Sequence, residues 1–299
     1  MNKPLSGMNI LVTGAGGQLG TEIRKAAAKG ATNRYIFSDI SPVKGTDTLY
    51  LDITDKMALS LVCESEKVDI VVNCAAYVDV EKAESDMAMA RLLNANGPAA
   101  LAAVCAERDA TLIHISTDYV FDGNSPLPIR EDAPVAPTGV YGATKLEGER
   151  AVMDSGCKYI IFRTAWLYSA QGRNFVKTMK ALTSERKSLN VVFDQAGTPT
   201  WAADLASCIV HVIESGQAGK QGIYHYSNEG VCSWYDFACA IRDLAGNCCD
   251  ITPCHSADYP SKVKRPSYSV LDKSLVKKTF GVQIPHWYES LKQCMKQLQ

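Results

Sequence analysis

No stretch of this chain is apolar for long enough to cross a bilayer, which argues against a helical membrane protein. Neither sign of charge is in surplus: 31 Lys and Arg stand against 32 Asp and Glu, a net charge of -1. A protein that holds a polyanion needs a basic surplus, so nucleic acid is not an expected partner. Repeats of fixed period and low-complexity linkers are missing, which excludes a solenoid. Met1 to Gly7 is short and polar and lacks the apolar stretch of a signal peptide. The 11 cysteines include no Cys-x-x-Cys pair. The densest group, Cys248, Cys249, Cys254 and His255, therefore does not read as a zinc site. An odd number of scattered thiols, many in apolar surroundings such as Cys74 and Cys105, reads as the reduced core cysteines of a cytoplasmic protein.

What is present is a strand–helix rhythm in 299 residues that are 46% hydrophobic and 21% charged, ample for a large core. Residues 8–12, 34–38, 68–74, 111–116 and 159–163 are short apolar runs that read as buried strands. Residues 18–29 read as a helix, and 88–108 as an alanine-rich helix with an irregularity at Gly97-Pro98. Apolar strands alternating with helices predict an α/β fold, a doubly wound parallel sheet of Rossmann type covered on both faces. After Thr164 the rhythm loosens and Pro and Trp recur, at Pro199, Trp201, Trp234, Pro253, Pro266, Pro285 and Trp287. Residues 8–165 are thus expected to form a dinucleotide-binding domain, with the chain returning to it around 190–225. Residues 166–299 are expected to form mainly a smaller, less regular substrate-binding part.

The first apolar run ends in Thr13-Gly14-Ala15-Gly16-Gly17-Gln18-Leu19-Gly20. Glycines at 14, 17 and 20 suit a tight turn, a close approach of a pyrophosphate, and close packing of helix on strand. Asp39 follows the second run, 19 residues after Gly20. An acid there accepts hydrogen bonds from an adenosine ribose and repels a 2′-phosphate, although a strand-end Asp also caps turns. Asp55 or Thr54 suits the cap of the next helix. Ser116-Thr117-Asp118-Tyr119 closes the fourth run, where ligands bind in such folds, and a hydroxyl there suits a carbonyl becoming an alkoxide. Tyr141 and Lys145 stand four apart, on one face of a helix. A cation about 4 Å from the phenol, at an effective dielectric of roughly 20, favours phenolate by about 4 kcal/mol before desolvation. His114, inside an apolar run, reads as a core histidine, and Tyr77 and Tyr119 as packing or pocket-wall residues.

In this order these residues resemble the extended short-chain dehydrogenase/reductase superfamily, and within it the dTDP-4-dehydrorhamnose reductase family. The resemblance runs from Met8 to the region of Trp287. Its pieces are Gly17 to Gly20, Asn73 to Tyr77 with Asp79 and Glu81 to Glu84, Ser116 to Gly123, Val140 to Glu149, Arg163 to Tyr168, Asp194 to Thr200, and Arg265 to Ser267. It implies reduction of the C4 ketone of a nucleotide sugar, dTDP-4-dehydro-6-deoxy-L-mannose, to dTDP-L-rhamnose with NADPH or NADH. It assigns Gly17, Gln18 and Leu19 to the cofactor diphosphate, in the cofactor-binding turn that Gly14 and Gly20 shape. Asp39, Asp52, Ile53, Ala75, Ala76 and Tyr77 fall to the rest of the cofactor. Tyr141, Lys145 and Thr117 carry the chemistry, and Thr117, Asp118, Trp166 and Arg265 the substrate. Val78 stands where the family often has Thr. Some members form homodimers through Mg2+ held by glutamates, and Glu22 matches one such position, but no full ligand set can be placed.

The implied mechanism has Tyr141 donating a proton to the oxyanion after hydride transfer, Lys145 lowering the Tyr141 pKa and meeting the nicotinamide ribose, and Thr117 polarising the carbonyl. Two rivals stand beside it. A nucleotide-sugar dehydratase would need a Glu where Tyr119 stands, whereas an epimerase shares Tyr and Lys and stays open. A non-catalytic, nucleotide-binding regulatory subunit is the reading from another class.

Overall fold

The structure, a computed structural model, describes residues 7–41, 43–125, 127–259, 261 and 263–298. Most of the polar stretch Met1 to Gly7 therefore lies outside the described residues. Seven strands form one parallel sheet: β1 (Asn9–Thr13), β2 (Arg34–Asp39), β3 (Leu49–Tyr50), β4 (Ile70–Asn73), β5 (Thr111–Thr117), β6 (Lys158–Thr164) and β7 (Gly222–His225). Their order is β7-β6-β5-β4-β1-β2-β3. The order reverses between β1 and β4, which opens a crevice at the carboxyl ends of those strands.

Alternation along each strand feeds two cores. Ile10, Val12, Phe37, Val72, Ile113 and Phe162 face one side, under α1 (Gln18–Ala27). Leu11, Ile36, Val71, Leu112 and Ile161 face the other, under α2 (Lys56–Ser65) and α3 (Gly97–Glu107). Burying one such Leu or Ile stabilises by about 1.5–3 kcal/mol, so near-continuous apolar strands are what a doubly covered sheet selects.

The expected helix over 88–108 is three pieces: Met87–Arg91, a wide π turn at Leu92–Asn96, and α3. Pro98 has no N–H for the Asn94 carbonyl, and the Gly97 N–H bonds back to Leu92 in the wider register. Gly97 leaves room for the Ile53 side chain: a Cβ there would lie 2.6 Å from Ile53 Cδ1, which would have to shift.

The second half is more regular than its proline and aromatic content suggested. Helix α5 (Ala202–Glu214), following α4 (Val140–Asp154), belongs to the core that α1 covers, and β7 extends the sheet at β6. Helices Phe175–Glu185, Trp234–Ala245 and Trp287–Gln297 surround a separate core built on Tyr168, Phe237, Ile241 and Leu291. Trp234–Ala245 carries a full capping box from Ser233 and Asp236 and stops at Gly246 with φ 70.

Candidate active site

The glycine turn lies at the β1 end of the crevice. Gly14 has φ +66, and a Cβ on it would sit 2.6 Å from the Ala75 nitrogen. At Gly20 a Cβ would run into the Gly14 carbonyl. Gly17 is the N-cap of α1 and offers no side-chain cap, so the first-turn amides are left to an anion. Asp39 closes this loop: one carboxylate oxygen accepts from the Gly16 N–H and the other from the Ser41 N–H, each at 2.9 Å. Gln18 Oε1 accepts from Asn174 Nδ2 at 2.9 Å and from the Ser169 hydroxyl at 3.3 Å. Leu19 is buried. Asp52 Oδ1 accepts from the Thr54 N–H and hydroxyl, both at 2.8 Å, and Asp55 caps α2 through the Ala58 N–H. The Ile53 side chain is buried against Gly97, so it is turned into the core.

Beneath the crevice the strand ends are tied together. Thr13 Oγ1 donates to Asn73 Oδ1 at 2.7 Å, the Ala75 N–H donates to the same oxygen, and Asn73 Nδ2 meets His114 Nδ1 at 3.1 Å. These bonds set the direction in which Ala75, Ala76 and Tyr77 leave β4. Asn94, from the π turn, then grips the Tyr77 backbone at both N–H (2.9 Å) and C=O (3.0 Å), and bonds Thr144 of α4. The Asn94 carbonyl freed by Pro98 lies where any Cβ on residue 148 would collide with it, so Gly148 lets α4 come close. Such a cradle, with glycines that no other residue can replace and an uncapped helix start, fits a dinucleotide.

Tyr141 and Lys145 sit on the first turns of α4 at the carboxyl end of β5, Tyr141 half-buried and Lys145 buried. Lys145 Nζ donates to the Ile115 carbonyl at 2.5 Å. The Tyr141 hydroxyl is within hydrogen-bonding reach of Thr117, and the Tyr141 ring packs edge-on against Tyr119 at 5.5 Å. Thr117 Oγ1 donates to Asp118 Oδ1 at 3.0 Å. Burial pushes the Asp118 carboxyl up to about 7, against the pull of its hydrogen bonds to Thr117 and Ser269. The Ser116 hydroxyl is buried without a hydrogen-bond partner.

One expectation from spacing is corrected here. Lys145 does not bring the Tyr141 pKa down in this arrangement. Burial dominates and holds the phenol above its ordinary range, Thr117 opposes it, and Asp118 and Tyr119 add to it. The Lys145 ammonium is committed to a backbone carbonyl, and its own pKa falls to about 8 through burial. Tyr141 is therefore a protonated donor at neutral pH.

On the substrate side, Trp166 has φ 48 and stacks on Trp234 at 3.5 Å, its edge against Gly197, where a Cβ would lie 2.6 Å away. Arg265 reaches Glu81 at 3.4 Å and touches Tyr119. With Asp194, Gln195, Ser256, Lys264 and Ser267 it lines a cavity of about 450 Å³. Sequence reading gives no role to Asn94, Gln195 or Ser256. An Asn just before Gly-Pro inside an alanine-rich helix was the available signal for the first; Ser256 is brought to Asp194 and Gln195 only by the fold. Among the described residues no three His, Cys, Asp or Glu side chains converge as a metal site, and the buried Glu22 pairs with Lys25 at 2.7 Å.

Comparison with known proteins places this geometry. The profile of the family described as RmlD substrate binding domain matches residues 8–299. A dTDP-4-dehydrorhamnose reductase from Aggregatibacter actinomycetemcomitans is 38% identical over 292 residues, covering 95% of this chain and 97% of its own. A solved dTDP-4-dehydrorhamnose reductase from Clostridium acetobutylicum superposes with a TM-score of 0.90 at 43% identity, covering 97% of this chain and 99% of that one. Another, from Bacillus anthracis and in complex with NADP, gives 0.85 at 34% identity over 97% of this chain and 99% of that one.

Proposed function

This chain belongs to the RmlD family, and from that premise we propose that it is an oxidoreductase that reduces the C4 ketone of dTDP-4-dehydro-6-deoxy-L-mannose to dTDP-L-rhamnose with NADPH or NADH. The observation that carries the reading is the Tyr141 hydroxyl within hydrogen-bonding reach of Thr117, with Lys145 one turn on, at the carboxyl end of β5 beside the glycine cradle. When bound, the nicotinamide cofactor supplies the hydride. The chain's own residues do the rest. First-turn amides of α1, with Gly14, Gly17, Gln18 and Leu19, hold the diphosphate, and Asp39 lies at the adenosine ribose. Thr117 turns its single proton from Asp118 toward the substrate oxygen. Tyr141, kept protonated by burial, gives its proton to that oxygen. Lys145 holds the ribose and stabilises the phenolate left behind. Residues 166–299 form mainly the substrate-binding part, with Trp166 as a wall and Arg265 on the diphosphate. Eleven free thiols suit a reducing cytoplasm.

The test is consumption of NADPH or NADH by the purified protein with enzymatically made dTDP-4-keto-sugar, and the same assay on Tyr141→Phe. The wild type should turn over, and the variant should lose kcat by ~10²-fold or more with cofactor affinity little changed. A wild type without turnover, or a variant with near-normal kcat, overturns the assignment.

A further inference from the structure

Glu149 lies one turn beyond Lys145 on the same face of α4, and neither side chain reaches solvent: Lys145 is 2% exposed and Glu149 0%. Arg163, from β6, grips the Glu149 carboxylate with two bonds, Nε at 2.9 Å and Nη2 at 2.7 Å. Its third nitrogen, Nη1, donates to the Glu131 carbonyl, and the guanidinium lies over the Phe121 ring at 5.0 Å. Arg163 is thus fully engaged. The buried group holds two cations, Lys145 and Arg163, and the Glu149 carboxylate. On the Arg163 side, burial keeps the His225 ring neutral and the Glu131 carboxyl accepts from the His225 N–H; around Lys145 no other titratable group supplies a second anion. The Cys74 thiol, at the end of β4, is pushed up to about 12 by burial. His114, on β5, is kept neutral by burial and by the Lys145 charge. Asp118 and Tyr141 interact with each other across the reaction side.

We propose that Glu149, oriented by Arg163, is a positioning residue for the reductase reaction: it is the buried counter-charge that keeps Lys145 an ammonium on the Ile115 carbonyl. The inference rests on Lys145 acting in the proposed reaction. Burial pulls the Lys145 pKa down to about 8 even with Glu149 raising it, so loss of the carboxylate takes it lower still. An ammonium is present below its pKa and lost as pH rises through it. The alkaline limb of activity therefore reports this residue.

The experiment measures kcat/KM from pH 6 to 9 together with NADH affinity by nicotinamide fluorescence over the same range, in the wild type and in Glu149→Gln. Both limbs should move down by about one pH unit, so that the variant loses about fivefold at pH 8 and nearly tenfold at pH 9 while staying within about threefold at pH 6. Because the single variant strands a buried guanidinium, the double variant Glu149→Gln with Arg163→Met removes both charges and serves where the single one does not fold. Its limbs should fall between those of the wild type and the single variant. Limbs that do not move in the variant that folds, or a loss equal at every pH, make Glu149 and Arg163 a structural clamp and overturn the proposal. A wild type without turnover defeats the reductase reading instead, and the NADH limb still decides the role of Glu149.

Discussion

Arg265 shows how a single residue draws its meaning from chain that is distant in sequence. Its guanidinium is held by Glu81 and borders the cavity of about 450 Å³ with Lys264 and Ser267. A substrate diphosphate meets a chain of net charge -1 with no long-range attraction, so a local cation has to supply it. Glu81 positions that cation, but it competes with the phosphate for it. Arg265→Ala should raise KM for the nucleotide sugar by ~10-fold, in line with about 1.5–3 kcal/mol for a charged hydrogen bond, and leave cofactor affinity nearly unchanged. Steady-state kinetics varying each substrate separately decides it; an unchanged sugar KM would put the diphosphate elsewhere. The family resemblance assigns Arg265 to the substrate, but nothing in the sequence shows its contact with Glu81, 184 residues away. Nor could it show that burial outweighs the cation at Tyr141, because desolvation depends on neighbours that spacing does not name.

Elements were legible in proportion to how fully they are buried. β1, β2, β4, β5 and β6 are runs of four to seven residues covered on both faces, and composition alone marks them. β3 has two exposed residues, and β7 is a mixed Gly-Ile-Tyr-His, so neither carries an apolar signature. The helices after Thr164 were obscured by prolines and tryptophans that in fact sit between them or at their starts, as Trp234 and Trp287 do. The end of β2 carries a test at this scale. Asp39 accepts from Gly16 and Ser41 and so fastens the glycine turn to the strand. In the proposed cofactor mode its negative charge also faces the adenosine ribose. Asp39→Asn keeps an acceptor for the loop and removes the charge. Against a phosphate several ångströms away in a solvated loop, where the effective dielectric approaches that of water, that charge is worth about 1 kcal/mol. The ratio of kcat/KM for NADPH over NADH should rise by roughly fivefold. A ratio that stays fixed would make Asp39 a loop fastener alone.

Across the whole molecule, buried ionisable groups tie folding to pH. His114 and His225 are both fully buried. His225 donates Nδ1–H to the Ile129 carbonyl at 3.0 Å and packs edge-on against Phe121; burial and the nearby Arg163 push it down to about 3. His114 is pushed well below its ordinary value in the same way, with Lys145 adding to burial. Both rings stay neutral in the native state while the unfolded chain takes up protons below about pH 6.5, so stability falls as pH drops from there. Two such groups cost about 2.7 kcal/mol per pH unit once the unfolded rings are charged. Asp118 works the other way. With its carboxyl raised to about 7, the native state takes a proton that the unfolded chain refuses until about pH 4, which returns about 1.4 kcal/mol per unit. The partly buried Glu131 and Asp204 are raised too and act in the same sense as Asp118, while the lowered carboxyls of Asp122, Asp194, Glu214 and Asp272 act with the histidines and offset the raised ones. The balance leaves stability falling by about 1 kcal/mol per unit between about pH 6 and pH 4. Urea unfolding at half-unit steps should show that decline. His225→Gln, which can still donate to Ile129, should flatten it to near zero, and Asp118→Asn should about double it. If His225→Gln leaves the slope unchanged, the His225 ring is already protonated in the folded protein, and the charge balance around Arg163 and Glu131 is different from the one described.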